Sequence, residues 1–210
     1  LSGLYKPRQG DILLHSEGGT ARRDGLSQVV GVVPESTGLY HRLTAWENIR
    51  YSSRLHGVPD DVAWIRTQRF AKALALDGEL MRHTRGFSRG MRQKTALLRA
   101  LAHGPEILLL DEPTAGLDVT SARLVRKLVQ KLRDEGGTVI YSTHNLFEAE
   151  KICDRILIMH NGELRFDGVP EKLLIDTDTG SLEEAYVVLT QDSAREQQRV
   201  APASWFSRSW

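Results

Sequence analysis

Apolar and polar positions fall into two textures along this chain. From about residue 105 onward, short apolar runs alternate with amphipathic stretches. Ile107-Leu108-Leu109-Leu110 is a continuous apolar run that leads into two adjacent carboxylates, Asp111 and Glu112. Such a run predicts a strand buried on both faces, as in a parallel sheet. Thr138–Ser142 and Arg155–Met159 predict two further strands. Between the first two, Val119–Glu135 sets Leu124, Val125, Leu128, Val129 and Leu132 on one helical stripe, closed by Gly136-Gly137. Alternation of strand and helix over 105–159 predicts a parallel sheet with crossover helices. Upstream, Val29–Val33 is a β-branched run stopped by Pro34 and followed by Glu35. Asp11–His15 predicts a short strand, and the polar segment Ser16–Gly25 a loop or hairpin tip.

The middle of the chain reads differently. Thr44-Ala45-Trp46-Glu47 has the form of a capping box and predicts a helix to about Leu55, stopped by Gly57 and Pro59. Asp60 or Asp61 opens a second helix to about Leu76. Residues 44–86 therefore read as a small helical insertion. Ser88 caps a third helix running to about His103, with Met91, Leu98, Leu101 and Ala102 spaced for one face. Toward the C-terminus, Asn145–Cys153 predicts a helix and Asn161-Gly162 a hairpin turn. Leu164–Phe166 pairs back, Glu171–Leu174 is a helical turn, and Ser181 opens a last helix to about Leu189. Residues 191–210 read as a loose tail.

Composition narrows the classes. A formal net charge of +1 gives no electrostatic pointer to nucleic acid. The single cysteine, Cys153, excludes an internal disulfide framework. Seven histidines are scattered without metal-ligand spacing. No apolar run is long enough to span a bilayer.

Three predicted strands end in polar chemistry: Glu35, then Asp111 with Glu112, then Thr143-His144. In a parallel sheet these groups share one edge, where ligands of such sheets bind. Two acids at a strand end are costly to bury unless they hold a metal or activate water. Adjacent side chains on a strand point to opposite sides, so one acid would reach a hard cation such as magnesium and the other an attacking water. The start of the third helix, Ser88-Arg89-Gly90, has the physics of an anion site, although a plain N-cap is the commoner meaning of such a serine.

Taken together, these segments resemble the ATP-binding cassette (ABC) family. Phe87-Ser88-Arg89-Gly90-Met91-Arg92-Gln93-Lys94 resembles its signature motif, and residues 107–112 its Walker B strand. Ala115–Asp118 resembles its D-loop, Ser142-Thr143-His144 its switch-histidine loop, and Val33-Pro34-Glu35 falls at its Q-loop. The resemblance implies a P-loop NTPase-like α/β fold with a parallel sheet, crossover helices and a small helical subdomain at 40–87. It covers residues 1–190, with 191–210 as a tail. It implies ATP and magnesium as cofactors. Asp111 would hold the ion, Glu112 would be the general base, and His144 would contact the γ-phosphate. Ser88 and Gly90 would bind the γ-phosphate of ATP held by a second ABC ATPase subunit, and Asp118 would communicate across that dimer. Glu35 would sense the ion at the nucleotide site and link to a transmembrane permease. The implied location is the cytoplasmic face of the membrane, with no nucleic-acid partner.

Departures accompany the resemblance. No Gly-x-x-x-x-Gly-Lys-Ser/Thr phosphate loop (Walker A) occurs in the 210 residues, nor the N-terminal aromatic that stacks on adenine. Leu1-Ser2-Gly3-Leu4 reads as the last turn of a helix with its C-cap, so the expectation is an N-terminally truncated cassette, inactive alone; the alternative is a degenerate protein. Glu35 stands where glutamine is usual, and Arg89 and Met91 where glycine and glutamine are usual. Together with Gly38-Leu39-Tyr40, these changes are similar to the drug, sodium and lipid exporter branch. Two other readings are a soluble cassette of DNA repair or translation and an inert pseudo-cassette. Ser88 follows Glu35 by 53 positions, a transporter-type spacing with no room for a long coiled coil.

Overall fold

The computed structural model describes residues 7–10, 12–16, 19–22 and 26–190. The readings of Leu1–Leu4 and of the tail at 191–210 lie outside these residues. The chain forms two compact units, Leu1–Thr143 and His144–Trp210.

The first unit is built on a three-stranded parallel sheet in the order β3-β4-β5. β3 is Val30–Val33, β4 Ile107–Asp111 and β5 Thr138–Ser142. β4 lies in the centre, with Val33 opposite Leu110 and Asp111 opposite Ser142. All three strands run the same way, so their C-terminal ends share one edge, as the sequence predicts. Alternate residues Leu108 and Leu110 are buried, whereas Ile107 and Leu109 are half-buried. β4 is thus less enclosed than its apolar run suggests. β1 (Leu13–Ser16) and β2 (Gly19–Arg22) pair antiparallel as a hairpin, the second of the two readings of this segment. A single helical turn, α1 (Leu26–Val29), precedes β3.

The insertion is helical, as expected. α2 (Ala45–Leu55) opens with the complete capping box: Glu47 N–H donates to Thr44 Oγ1 at 3.1 Å, and Thr44 N–H donates to Glu47 Oε2 at 2.8 Å. The Thr44 N–H and the Thr44 hydroxyl, both donating to Glu47 Oε2, hold that carboxyl below its ordinary pKa. α3 (Asp60–Ala73) ends earlier than the apolar spacing predicts. Ala75 takes φ 50°, and the N–H groups of Leu76 and Ala75 donate back to Ala71 and Lys72 at 2.9 and 3.2 Å. That is a Schellman motif, with alanine where glycine is favoured. Leu74 and Leu76 continue the apolar spacing because they tuck into the core, not because the helix continues.

α4 (Arg89–Leu101) joins the insertion to the sheet, packing against α2, α3 and β3. Its expected single apolar face is instead buried almost all round from Gln93 to Leu98. Ile49, Leu97, Leu98, Val33 and Val125 are fully buried here, each contributing about 1.5–3 kcal/mol by leaving water. Gly31 permits the approach of β3 to α4: a Cβ there would lie 2.6 Å from the Ala100 carbonyl oxygen. α5 (Val119–Asp134) crosses from β4 to β5 with Val125, Leu128 and Val129 inward.

The second unit corrects one expectation. β6 (Ile156–His160) is not a further strand of the parallel sheet; it pairs antiparallel with β7 (Glu163–Gly168) in a separate sheet. Asn161 and Gly162 take φ 51° and 80°, the left-handed pair of a tight hairpin, and turn the chain back at once. α6 (Leu146–Ile152), α7 (Pro170–Thr177) and α8 (182–190) accompany the hairpin. Ile156, Ile158, Leu173, Leu182 and Ala185 form its core.

Candidate functional site

The acids at the end of β4 are not buried. Asp111 is exposed and Glu112 half-buried, so both stay largely in reach of water. The backbone changes course between them. Glu112 adopts φ 46°, a left-handed conformation uncommon for a side chain of its size. The strand ends at Asp111, and Glu112 lies beyond its extended backbone. Backbone strain of this kind concentrates at functional positions.

β5 holds both acids in place. The Ser142 hydroxyl donates to Asp111 Oδ1 at 2.6 Å. The Glu112 N–H donates to the Ser142 carbonyl at 3.1 Å, with Ser142 Oγ at 3.3 Å. One residue earlier, the Tyr141 hydroxyl lies 3.2 Å from Thr114 Oγ1, fastening the turn that follows the acids. Sequence reasoning missed both tethers. Ser142 had appeared only as a neighbour of His144, and only strand register reveals that it faces Asp111.

A magnesium ion fits this donor set. Among the described residues, no three His, Cys, Asp or Glu side chains are gathered to cage a metal. Magnesium does not require such a cage: it keeps several waters and binds through one or two carboxylates plus phosphate oxygens. The exposed, serine-oriented Asp111 is a carboxylate of that kind.

The other predicted residues divide between the units. Glu35 is exposed, two positions beyond β3 at the same sheet edge. The segment after it is held by a residue the sequence gave no reason to choose. Arg99 of α4 donates to the Thr37 and Gly38 carbonyls at 2.7 and 3.0 Å. Burial holds its pKa below the ordinary arginine value. His144 opens the second unit and is exposed, immediately before Asn145, which caps α6.

Ser88 caps α4 by accepting from Met91 N–H at 3.2 Å. Asp118 caps α5 by accepting from Ser121 N–H at 2.9 Å, and the Ser121 bonds hold its carboxyl below the ordinary range. The two helix starts touch. A Cβ on Gly90 would sit 2.9 Å from Ser121 Oγ and 3.7 Å from Asp118 Oδ2. Gly90 is buried, and its lack of a side chain makes room for α5.

A family model described as ABC transporter matches residues 1–115. The chain is 37% identical over 174 residues to the ABC transporter ATP-binding protein NatA of Bacillus subtilis, covering 82% of this chain and 71% of that one. It is 30% identical to the linearmycin resistance ATP-binding protein LnrL of Bacillus subtilis, over 92% of this chain and 65% of that one. It is 33% identical to a Nod factor export ATP-binding protein of Burkholderia orbicola, over 83% of this chain and 57% of that one. The chain thus spans between about half and three quarters of these relatives. A solved structure titled as the ATP-binding subunit of an ABC transporter superposes with a TM-score of 0.71 at 28% identity, covering 77% of this chain and 68% of that one. With Walker B, signature and D-loop segments in sequence and an acid-tipped parallel strand in space, this chain belongs to the family of ABC transporter ATP-binding proteins.

Proposed function

We propose that this protein is the ATP-hydrolysing subunit of an exporter, acting as a dimer on the cytoplasmic face of a membrane beside a separate transmembrane permease. One observation carries the reading. Glu35, Asp111 and Glu112 stand at one edge of a parallel sheet, and Ser142 orients the Asp111 carboxylate. No helix among the described residues is long and apolar enough to cross a membrane. Two relatives named for Nod factor export and linearmycin resistance support the exporter direction.

In this reading Glu112 takes a proton from water as the water oxygen bonds to the γ-phosphorus. The bond from that phosphorus to the bridging oxygen breaks, releasing ADP and phosphate. Asp111 holds magnesium, which supplies charge neutralisation on the phosphates when bound. Glu35 faces the same ion and relays its state to the permease. His144 contacts the γ-phosphate. Ser88 and Gly90 meet the γ-phosphate held by the second subunit, and Asp118 meets that subunit across the dimer. Residues 1–190 form the ATPase domain, with 40–87 as its helical subdomain and 191–210 as a tail. The 210 residues contain no phosphate loop, so alone they bind ATP weakly and do not turn it over.

The test is magnesium-dependent ATP hydrolysis by the full-length protein, with and without its transmembrane partner in vesicles. Hydrolysis that the partner alters supports the proposal. Hydrolysis stimulated by DNA or ribosomes, with no membrane association, would instead favour the soluble cassette reading. Absence of hydrolysis in the full-length protein would favour a pseudo-cassette.

A further inference from the structure

The first residue of α4 is Arg89, where the resemblance leads one to expect glycine. Arg89 is exposed, and no hydrogen bond or ion pair holds its guanidinium among the described residues. The group instead lies against Gly116, where it occupies the space a Cβ on that glycine would need. Gly116 has φ 66°, and the left-handed bend turns its bare face toward α4. Gly90 provides the reciprocal contact, its own bare face accepting Ser121. Two glycines and one arginine thus interlock the start of α4 with the turn between Glu112 and α5.

This contact joins segments with different attachments. The start of α4 follows the helical insertion through the 3-10 turn Thr84–Gly86. The turn at 113–118 follows the acids of β4 and ends in the Asp118 cap. With glycine at position 89, the three atoms nearest the bare face of Gly116 would be gone. A planar guanidinium is suited to lie flat on an exposed peptide, whereas a lysine ammonium is a compact, strongly hydrated charge.

We infer that Arg89 is a positioning residue that clamps the 113–118 turn to the start of α4, so that Ser88 and Asp118 meet a second subunit as one rigid surface. The inference rests on the reading of the protein as an ATPase that dimerises on ATP. Arg89 touches no reacting atom; it fixes the mutual position of two segments that must engage the partner together.

The experiment uses the full-length protein and measures kcat, KM for ATP, and ATP-driven dimerisation by size-exclusion chromatography. Arg89→Gly is expected to lower kcat about tenfold while KM stays within about twofold, because ATP loading does not use the clamp. Dimerisation weakens in parallel, Arg89→Lys restores little, and guanidinium ion at sub-denaturing concentration partly restores kcat. Gly116→Ala, which expels the guanidinium, is expected to give the same loss, and the double variant is expected to lose no more than either single one. Wild-type activity with an unaltered Arg89→Gly variant overturns the clamp alone, as does full additivity of the two substitutions. A wild-type protein that neither hydrolyses ATP nor dimerises overturns the ATPase reading and the role of the clamp with it.

Discussion

The Ser142 hydroxyl donates a 2.6 Å hydrogen bond to Oδ1 of Asp111, across a register pair of β4 and β5. An exposed carboxylate would otherwise rotate freely. The bond fixes its plane and gives the strand end one geometry to offer a cation. Removing such an orienting partner typically costs tenfold or more in metal affinity. Ser142→Ala in the full-length protein is therefore expected to raise the magnesium requirement of ATP turnover about tenfold. Its thermal unfolding midpoint should hardly move, because the pair is exposed. Magnesium titration of the hydrolysis rate, beside a melting curve, checks both parts.

Glu112 combines a proposed chemical role with an unfavourable backbone. Glu112→Gln cannot accept a proton and is expected to reduce turnover by a factor of about 10² to 10⁴, while ATP-driven dimerisation persists. Glu112→Gly should be equally inactive yet more stable by about 1 kcal/mol, since glycine adopts φ 46° without strain. Single-turnover assays and thermal unfolding of the two variants separate chemistry from backbone. Normal turnover in either would remove Glu112 from the base role.

Ala75 holds the left-handed position that ends α3, at φ 50°. Its carbonyl-capping bonds are already made, so glycine would keep them and lose only the clash of the Cβ. Ala75→Gly is expected to stabilise the protein by about 0.5–1 kcal/mol, against the usual trend for glycine substitutions. Chemical denaturation at neutral pH reads the sign directly. Destabilisation would mean that entropy of the unfolded chain outweighs the strain.

His103, at the end of α4, is buried and stacked on His56 with ring centroids 4.1 Å apart. Neither of its ring nitrogens reaches a hydrogen-bond partner, although the Val30 backbone lies near enough to favour the charged ring. Burial, with the neighbouring His56 second, lowers its pKa from 6.5 to about 4. The folded state therefore binds fewer protons than the unfolded chain between those values. Stability is complete above pH 6.5 and falls as the pH drops toward 4. In His103→Leu that part of the pH dependence should disappear. Denaturation midpoints at several pH values across the window test this; parallel curves for the two proteins would contradict it.

Much of this protein was legible in the chain itself. The capping box at Thr44–Glu47, the Asn161-Gly162 turn and the limits of β5 follow from local chemistry acting over a few residues, and the fold reproduces them. The parallel arrangement of β3, β4 and β5 was also legible, because apolar runs separated by amphipathic helices have few other ways to bury themselves. Asp111 and Glu112 drew notice as acids at the end of such a run. What the chain could not disclose depends on partners distant in sequence. That Ser142 orients Asp111 is a matter of strand register. That Glu112 lies beyond the extended backbone of β4 depends on a bend stabilised by Ser142. That Arg89 rests on Gly116 depends on how closely two helix starts approach. That β6 leaves the parallel sheet was misjudged because an apolar strand looks the same in either pairing. Local sequence determines which segments are helix, strand or turn; only the packing of those segments decides which side chain meets which, since those contacts arise between residues that share no local pattern.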